Sequence, residues 1–230
     1  MFFDPLYLLL MIPTFILSVG AQIWVKRSFS KYNKIASQRH VSGAQAAHRI
    51  LKINGINDVD IEKVSGALTD HYDPRSKTLR LSSEVYQSDS LASLGIAAHE
   101  AGHAIQHAHG YVPLEIRSLL VPVTNLGSNL AWPLMIIGFL LHSSMLLQLG
   151  IIFFGGVVLF QMVTLPVEFN ASYRALGALR ESGVLEEFEI SGSRKVLTAA
   201  AMTYVAAAAT ALIQLIYFLI RAGLIGGNDE

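Results

Sequence analysis

Long blocks of apolar residues, separated by polar stretches, dominate the pattern of this chain. Four of the blocks contain no charged residue: 6–25, 118–141, 145–165 and 196–220. At a helical rise of about 1.5 Å per residue, a block of roughly 20 residues crosses the hydrocarbon core of a bilayer, which is about 30 Å thick. The pattern therefore predicts four transmembrane helices.

The first block reads as a membrane anchor. No Lys or Arg precedes it, whereas Lys26 and Arg27 follow it directly. A cleaved signal peptide has the reverse arrangement, with basic residues before the apolar run and small residues after it. We therefore expect residues 6–25 to stay in the protein as its first span.

The second block is less apolar than the others. Asn125 and Asn129 are four residues apart and share one face of a helix. In a bilayer such a face is expected to turn inward and to form hydrogen bonds with neighbouring helices. The alternative is a face that lines a path for a substrate.

Lys and Arg are distributed very unevenly between the segments that connect the apolar blocks. Twelve lie between the first and second blocks and four between the third and fourth, so that only Arg221 lies on the opposite side. Several of them, including Lys26, Arg27, Lys31 and Arg117, are close to the ends of the blocks. By the positive-inside rule, the long polar segment is predicted to face the cytoplasm.

The predicted spans divide the chain into five segments. The first helix occupies 1–25 and a polar segment occupies 26–117. A hairpin of the second and third helices covers 118–166, a second polar segment covers 167–195, and the fourth helix with its tail covers 196–230. The two polar segments face the same side and are expected to meet in space.

Local signals indicate both helices and strands in the segment 26–117. Ser42, with Gln45 three residues later, has the spacing of a capping box and predicts the start of a helix. The run 58–64 has an extended pattern, and 70–82 reads as a hairpin around a Pro-Arg-Ser turn. A further helix is predicted over 88–110, with serine and aspartate at its start and a glycine at its end.

Composition narrows the possible functions. The chain is 52% hydrophobic and only 15% charged, which is too apolar for an ordinary soluble domain. Its formal net charge is zero and no basic tract is present, so nucleic acid is not an expected partner. The absence of cysteine removes disulfides, thiolate zinc ligands and cysteine nucleophiles. Any metal site must use His, Asp or Glu.

The helix over 88–110 contains the motif HEAGH. His99 and His103 are four residues apart, so both imidazoles lie on one helix face and can bind a single zinc ion. Glu100 is rotated by about 100° around the helix axis and can act as a general base without being a ligand. Small residues in and around the motif, such as Gly102, allow another helix or a metal-bearing neighbour to approach closely, or serve only tight packing.

Catalytic zinc sites usually have three protein ligands and one open position, so a third ligand is expected. His109 has the spacing of the metzincin pattern, but that pattern needs a glycine where this chain has Gln106. His107 lies one turn beyond His103 and too far along the helix. Glu168, just after the third apolar block, is the favoured candidate, because a carboxylate at the membrane edge is costly unless a cation pairs with it. The alternative is an interfacial glutamate that is paired with an arginine, such as the nearby Arg174, or is simply solvated.

Three stretches carry a resemblance to a known family: residues 99–122, 66–82 and 165–176. They resemble the bacterial multipass neutral zinc metallopeptidases called YugP-like, over most of the chain. The resemblance implies zinc at His99 and His103 and a base at Glu100. It also implies a place in the bacterial inner membrane with the site facing the cytoplasm.

The wider gluzincin clan of integral membrane proteases is similar too. Its second motif, E-x-x-A-D, corresponds to residues 168–172, with Ser172 in place of the aspartate. In that clan the aspartate orients a ligand histidine. We expect Ser172 or Asn170 to take this part, with Glu168 as the third ligand.

These observations predict an α-helical integral membrane protein with about four transmembrane helices and a cytoplasmic, zincin-like α+β part that contains a small β-hairpin. The predicted function is a zinc-dependent endopeptidase with one zinc per chain. Zinc would activate a water and Glu100 would accept its proton, in order to hydrolyse membrane or membrane-proximal polypeptides. The run 78–82 would offer an edge for pairing with an extended substrate. Candidates for a further oxyanion donor are His71, Tyr72, His107 and Tyr173.

Two functions from other classes stay open at this point. A non-catalytic membrane scaffold with a structural zinc would need a fourth ligand, such as His107. A transporter would place ionisable residues near the middle of the bilayer, whereas the middles of all four apolar blocks are uncharged. The oligomeric state is not predicted.

Overall fold

The computed structural model describes residues 4–225. Seven helices and three strands follow one another along this part of the chain: α1 Pro5–Tyr32, α2 Gly43–Ile53, β1 Asp60–Val64, β2 His71–Asp73, β3 Thr78–Ser82, α3 Ser83–Gln87, α4 Leu91–Ala108, α5 Val112–Leu140, α6 Ser144–Glu181 and α7 Glu187–Arg221. Helices α1, α5, α6 and α7 are long and apolar enough to cross a membrane. The predicted fold class, with four spans and a small sheet, is confirmed.

The helices extend beyond the apolar blocks that predict them. Helix α6, for example, continues past the end of its block at residue 165 as far as Glu181. Hydropathy marks the limits of the hydrocarbon core, whereas the helix itself continues because Ala175, Ala178 and Leu179 pack into the same hydrophobic core as α4.

The chain divides into two compact units. The apolar unit comprises the chain as far as Ala21, Glu115–Pro166 and the chain from Thr203 onward. The α+β unit comprises Gln22–Leu114 and Val167–Met202. Helices α1, α5, α6 and α7 each contribute residues to both units.

Glycines determine how α5 and α6 pack within the apolar unit. A Cβ atom on Gly127 would lie 2.6 Å from the carbonyl oxygen of Phe153, so only glycine allows the two backbones to come this close. Ala131 and Met135 continue the same face of α5 and are fully buried. Close backbone approach between small residues is the usual basis of helix packing in membranes.

The inward orientation predicted for the two asparagines of α5 is wrong in the described chain. Asn125 and Asn129 are both exposed. Each is two residues away from Gly127, and two residues rotate a helical position by about 200°, so the asparagines lie nearly opposite the packed face. Glycine-mediated packing, rather than hydrogen bonding by the amides, selects the face that α5 turns toward α6.

The sheet of the α+β unit has the strand order β1-β3-β2. Strands β2 and β3 are antiparallel and form the predicted hairpin, with His71 opposite Arg80. Strand β1 pairs with β3 in parallel, with Asp60 opposite Thr78. The prediction that residues 78–82 form an edge is therefore wrong, because β1 covers the second side of β3. The edges of the sheet are β1 and β2.

The predicted helix signals in the α+β unit are confirmed. Ser42 caps α2, and its reciprocal hydrogen bonds with Gln45 complete the capping box. Ser90 caps α4 by accepting a hydrogen bond from the backbone N–H of Ser93. Helix α4 is buried along almost its whole length, and its apolar residues share one core with α2, β3 and α6. This burial holds the HEAGH motif on a rigid element.

Candidate metal centre

Helix α4 places the two motif histidines side by side. The ring centroids of His99 and His103 are 4.8 Å apart, with the rings nearly perpendicular. His103 is buried, whereas His99 is partly exposed. The spacing of four residues predicts this arrangement, since such residues lie one above the other on a helix.

Glu168 on α6 completes a group of three possible metal ligands. Its Oε2 atom lies 3.1 Å from Nε2 of His99 and 3.7 Å from Nε2 of His103, and the carboxylate is almost fully buried. The donor atoms of all three residues lie within 4.8 Å of one another. Around a tetrahedral zinc at about 2.1 Å from its ligands, donor atoms are about 3.4 Å apart. The three residues therefore fit a zinc ion.

A glycine in the motif allows α6 to come this close. A Cβ atom on Gly102 would lie 2.6 Å from the backbone carbonyl oxygen of Ala171. Ala171 lies between Glu168 and Ser172 on α6, so the close contact holds both of these residues against the histidines. Of the two interpretations of the small residues around HEAGH, the structure supports the close approach of another helix, α6, which carries Glu168.

Gln106 orients His103, and the sequence alone did not suggest this role. Its Oε1 accepts a hydrogen bond from Nδ1 of His103 at 3.0 Å, and the side chain is fully buried. Its Nε2 donates to the carbonyl oxygen of Val167 at 2.8 Å and to Oδ1 of Asn170 at 3.0 Å. Because the amide nitrogen is committed to α6, the oxygen must face His103. That arrangement leaves Nε2 of His103 free of hydrogen and available to a metal.

Ser172 orients His99, as Gln106 orients His103. Its hydroxyl lies 3.1 Å from Nδ1 of His99. With the hydroxyl oxygen as acceptor, His99 also presents an unprotonated Nε2 toward Glu168. Ser172 thus offers a neutral oxygen, rather than a carboxylate, to the second ring nitrogen of His99.

The alternative ligands His107 and His109 have other partners. Nδ1 of His107 is 2.9 Å from the hydroxyl of Tyr72, and Nδ1 of His109 is 3.2 Å from a guanidinium nitrogen of Arg174. Arg174 also donates to Asn170. Among residues 4–225, the group of potential ligands around His99 and His103 includes neither His107 nor His109.

Glu100 lies next to this group in a buried position. Only 8% of the residue is exposed, and its carboxylate accepts a hydrogen bond from the backbone N–H of Tyr72 on β2. Burial raises the pKa of Glu100 to about 7, and the neighbouring negative charge of Glu168 adds to this shift. A carboxyl group with a pKa near neutrality can both accept and return a proton.

The four candidate oxyanion donors are not gathered into one group. Burial and the charges of Asp58 and Asp73 raise the pKa of Tyr72 to about 12, and its hydroxyl is bonded to His107. Nδ1 of His71 lies 2.8 Å from the carbonyl oxygen of Thr69. Tyr173 is 79% exposed. The geometry does not single out any of them as a donor.

The family model described as "Putative neutral zinc metallopeptidase" matches residues 7–223. The chain belongs to this family. It is also similar to the "Putative membrane protease YugP" of Bacillus subtilis (strain 168), with 45% identity over 225 residues, which cover 98% of this chain and 99% of that protein. No solved structure matches the chain.

Membership in the neutral zinc metallopeptidase family confirms the resemblance found in the sequence. The match extends over all four candidate spans and over the group of His99, His103 and Glu168. The protein is accordingly a membrane protein of a zinc metallopeptidase family, with a cluster of side chains that could hold the metal.

Proposed function

We propose that the protein is a zinc-dependent membrane endopeptidase that binds one zinc ion through His99, His103 and Glu168. One observation carries the proposal: two imidazoles and a carboxylate converge, and the buried Glu100 lies beside them without joining them. Three protein ligands leave one tetrahedral position open, which is the pattern of catalytic zinc sites.

Bound zinc supplies a Lewis acid that lowers the pKa of a coordinated water toward about 7 and stabilises negative charge on a carbonyl oxygen. The side chains of the protein transfer the protons. Glu100 accepts the proton of the attacking water and returns it to the leaving amine. Ser172 and Gln106 hold the two imidazoles in the orientation that the metal needs.

The alternative of a structural zinc in a non-catalytic scaffold is less well supported. Structural zinc sites have four protein ligands. Within the described part of the chain, the candidate group contains three residues, and His107, the candidate for a fourth ligand, is bonded to Tyr72 instead. An open position and a neighbouring buried carboxylate both favour hydrolysis.

The substrates we propose are membrane or membrane-proximal polypeptides. Glu168 lies in the same helix as the third span and only three residues after the end of the apolar block at residue 165. At about 1.5 Å per residue, the ligand is within roughly 5 Å of the end of that block along the helix axis. Peptide segments close to the bilayer are therefore the ones that reach the metal.

The site is proposed to face the cytoplasm of a bacterial cell. The support is the asymmetry of Lys and Arg, with Arg221 alone on the opposite side. A reporter fused after Glu84 should report a cytoplasmic position, and a reporter at Ser143 should report an external one. A cytoplasmic signal from Ser143 would contradict the orientation.

The role of Glu100 is tested by the variant Glu100→Gln. The amide has a similar shape but cannot accept the proton of the water, so cleavage of unfolded casein by purified protein in detergent should fall by about 10²- to 10⁴-fold. Zinc content, measured by elemental analysis, should stay close to one per chain. Glu181→Gln, at an exposed glutamate of α6, is the matched control and should cleave normally. Loss of zinc from Glu100→Gln would make Glu100 a ligand and would refute the mechanism.

A further inference from the structure

Asn125 and Asn129 lie at hydrocarbon depth in α5. The charge-free part of this helix runs from residue 118 to Leu140, and a bilayer core takes about 20 helical residues. Whichever 20 of these residues the core takes, both asparagines fall inside it. Their side chains are too short to reach the headgroup region.

The described part of the chain does not provide partners for these amides. Both residues are exposed, and within residues 4–225 neither side chain forms a hydrogen bond. They lie nearly opposite Gly127, through which α5 packs on α6. An amide without a hydrogen-bond partner is costly in hydrocarbon, so a partner from outside the chain is expected.

We propose that this partner is a second copy of the chain, in a dimer in which the α5 helices of two copies pack along their asparagine faces. Copies of one membrane protein share one orientation in the bilayer, so the two α5 helices must run parallel. A parallel pair related by a twofold axis brings each residue opposite its own counterpart at the same depth. Asn125 therefore meets Asn125 of the second copy, and Asn129 meets Asn129.

The asparagine face is complementary to itself. An amide has two N–H donors and an acceptor oxygen, so two asparagines satisfy each other. The face carries no charge between residue 118 and Leu140, so two copies do not repel each other. If transmembrane substrates were the partners instead, every substrate would need a polar group at the depth of the two asparagines. Nothing on this face of α5 selects substrates with such a group.

Disulfide trapping tests this arrangement, because the native chain contains no cysteine. Asn125→Cys introduces a single thiol on the proposed seam and keeps Asn129 to hold the pair together. Oxidation with iodine in native membranes should convert a large fraction of this variant into a covalent dimer. Leu126→Cys is the matched control: it lies at nearly the same depth on an exposed position, but is rotated by about 100°. It should be trapped much less.

Three results would overturn the proposal: no dimer from Asn125→Cys, equal trapping of the two variants, or a disulfide between Asn125→Cys and a different polypeptide. The last result would make α5 the docking face of another membrane protein.

A second experiment uses a double variant that removes both amides without adding strain. In vesicles that contain donor- and acceptor-labelled copies, the double variant Asn125→Leu, Asn129→Leu should dimerise roughly tenfold more weakly. Unchanged energy transfer would also contradict the proposal, and neither readout depends on peptidase activity.

Discussion

The polar side chains of the two units have opposite surroundings. In the α+β unit, Gln106 and Ser172 each bond to a metal-site histidine, and Gln106 also bonds to α6. In the apolar unit, Asn125 and Asn129 face outward and find no hydrogen-bond partner among the described residues. Polar residues in the core of a unit can therefore fix the internal geometry of a site, whereas polar residues on an outward face of a membrane helix can make contact with another molecule.

The physical reason lies in the surroundings. A metal site tolerates little error in ligand orientation, so the groups that orient the ligands must belong to the same packed core. A membrane helix gains no hydrophobic energy by association in lipid, so an exposed amide at its surface is one of the few features that can favour a specific neighbour.

The same polar-to-apolar change at the two places should give very different results. Gln106→Leu leaves the Nδ1–H of His103 without its acceptor in a buried position, and removes one of the two hydrogen bonds that Oδ1 of Asn170 accepts. We expect zinc affinity to fall by about 10- to 100-fold. The free energy of unfolding should also fall, by about 1–3 kcal/mol. Competition with a fluorescent chelator measures the affinity, and chemical denaturation measures the stability.

Two further variants make this comparison sharper. Gln106→Glu keeps an acceptor for His103 but cannot donate to Val167, so it should recover part of the zinc affinity. Asn125→Leu removes an amide that has no partner within the described chain, so zinc affinity should stay within about twofold of the unmodified protein. An equal loss of affinity from Asn125→Leu and Gln106→Leu would erase the distinction between the two regions.

A smaller effect is expected from adding a methyl group to Gly102. Gly102→Ala places a Cβ atom against the carbonyl oxygen of Ala171 and forces α4 and α6 apart, at a cost of about 1–3 kcal/mol in unfolding free energy. Zinc affinity should fall as well, because Glu168 moves with α6. Gly177→Ala is the matched control on α6, since a Cβ atom there meets nothing within 4 Å. It should be neutral or stabilising by up to about 1 kcal/mol.

Features that depend on local spacing could be predicted from the sequence. The four spans follow from block length, because the hydrocarbon core sets how many apolar residues are needed. The pairing of His99 with His103 follows from the helical repeat, and the cap at Ser42 follows from the spacing to Gln45. In each case, the physical constraint acts within one continuous stretch of the chain.

Features that depend on packing between distant segments were partly missed. From the sequence, Gln106 is recognised only as the residue that replaces the glycine of the metzincin pattern. Its position three residues after His103 also allows it to be a hydrogen-bond partner for that ring. Its bonds to Val167 and Asn170 exist only because α6 packs against α4. The central position of β3 and the outward face of α5 were mispredicted for the same reason, since both depend on which segment approaches from the other side.

The proposed metal site is tested most directly by determining which residue is the third zinc ligand. If Glu168 on α6 binds the metal together with the HEAGH histidines, Glu168→Ala should weaken zinc binding by orders of magnitude. His109→Ala should leave the affinity nearly unchanged, because His109 is bonded to Arg174 rather than placed beside the other ligands. Zinc titration of the two purified variants in detergent gives the answer. Loss of affinity in His109→Ala, with tight binding preserved in Glu168→Ala, would contradict the proposed metal site.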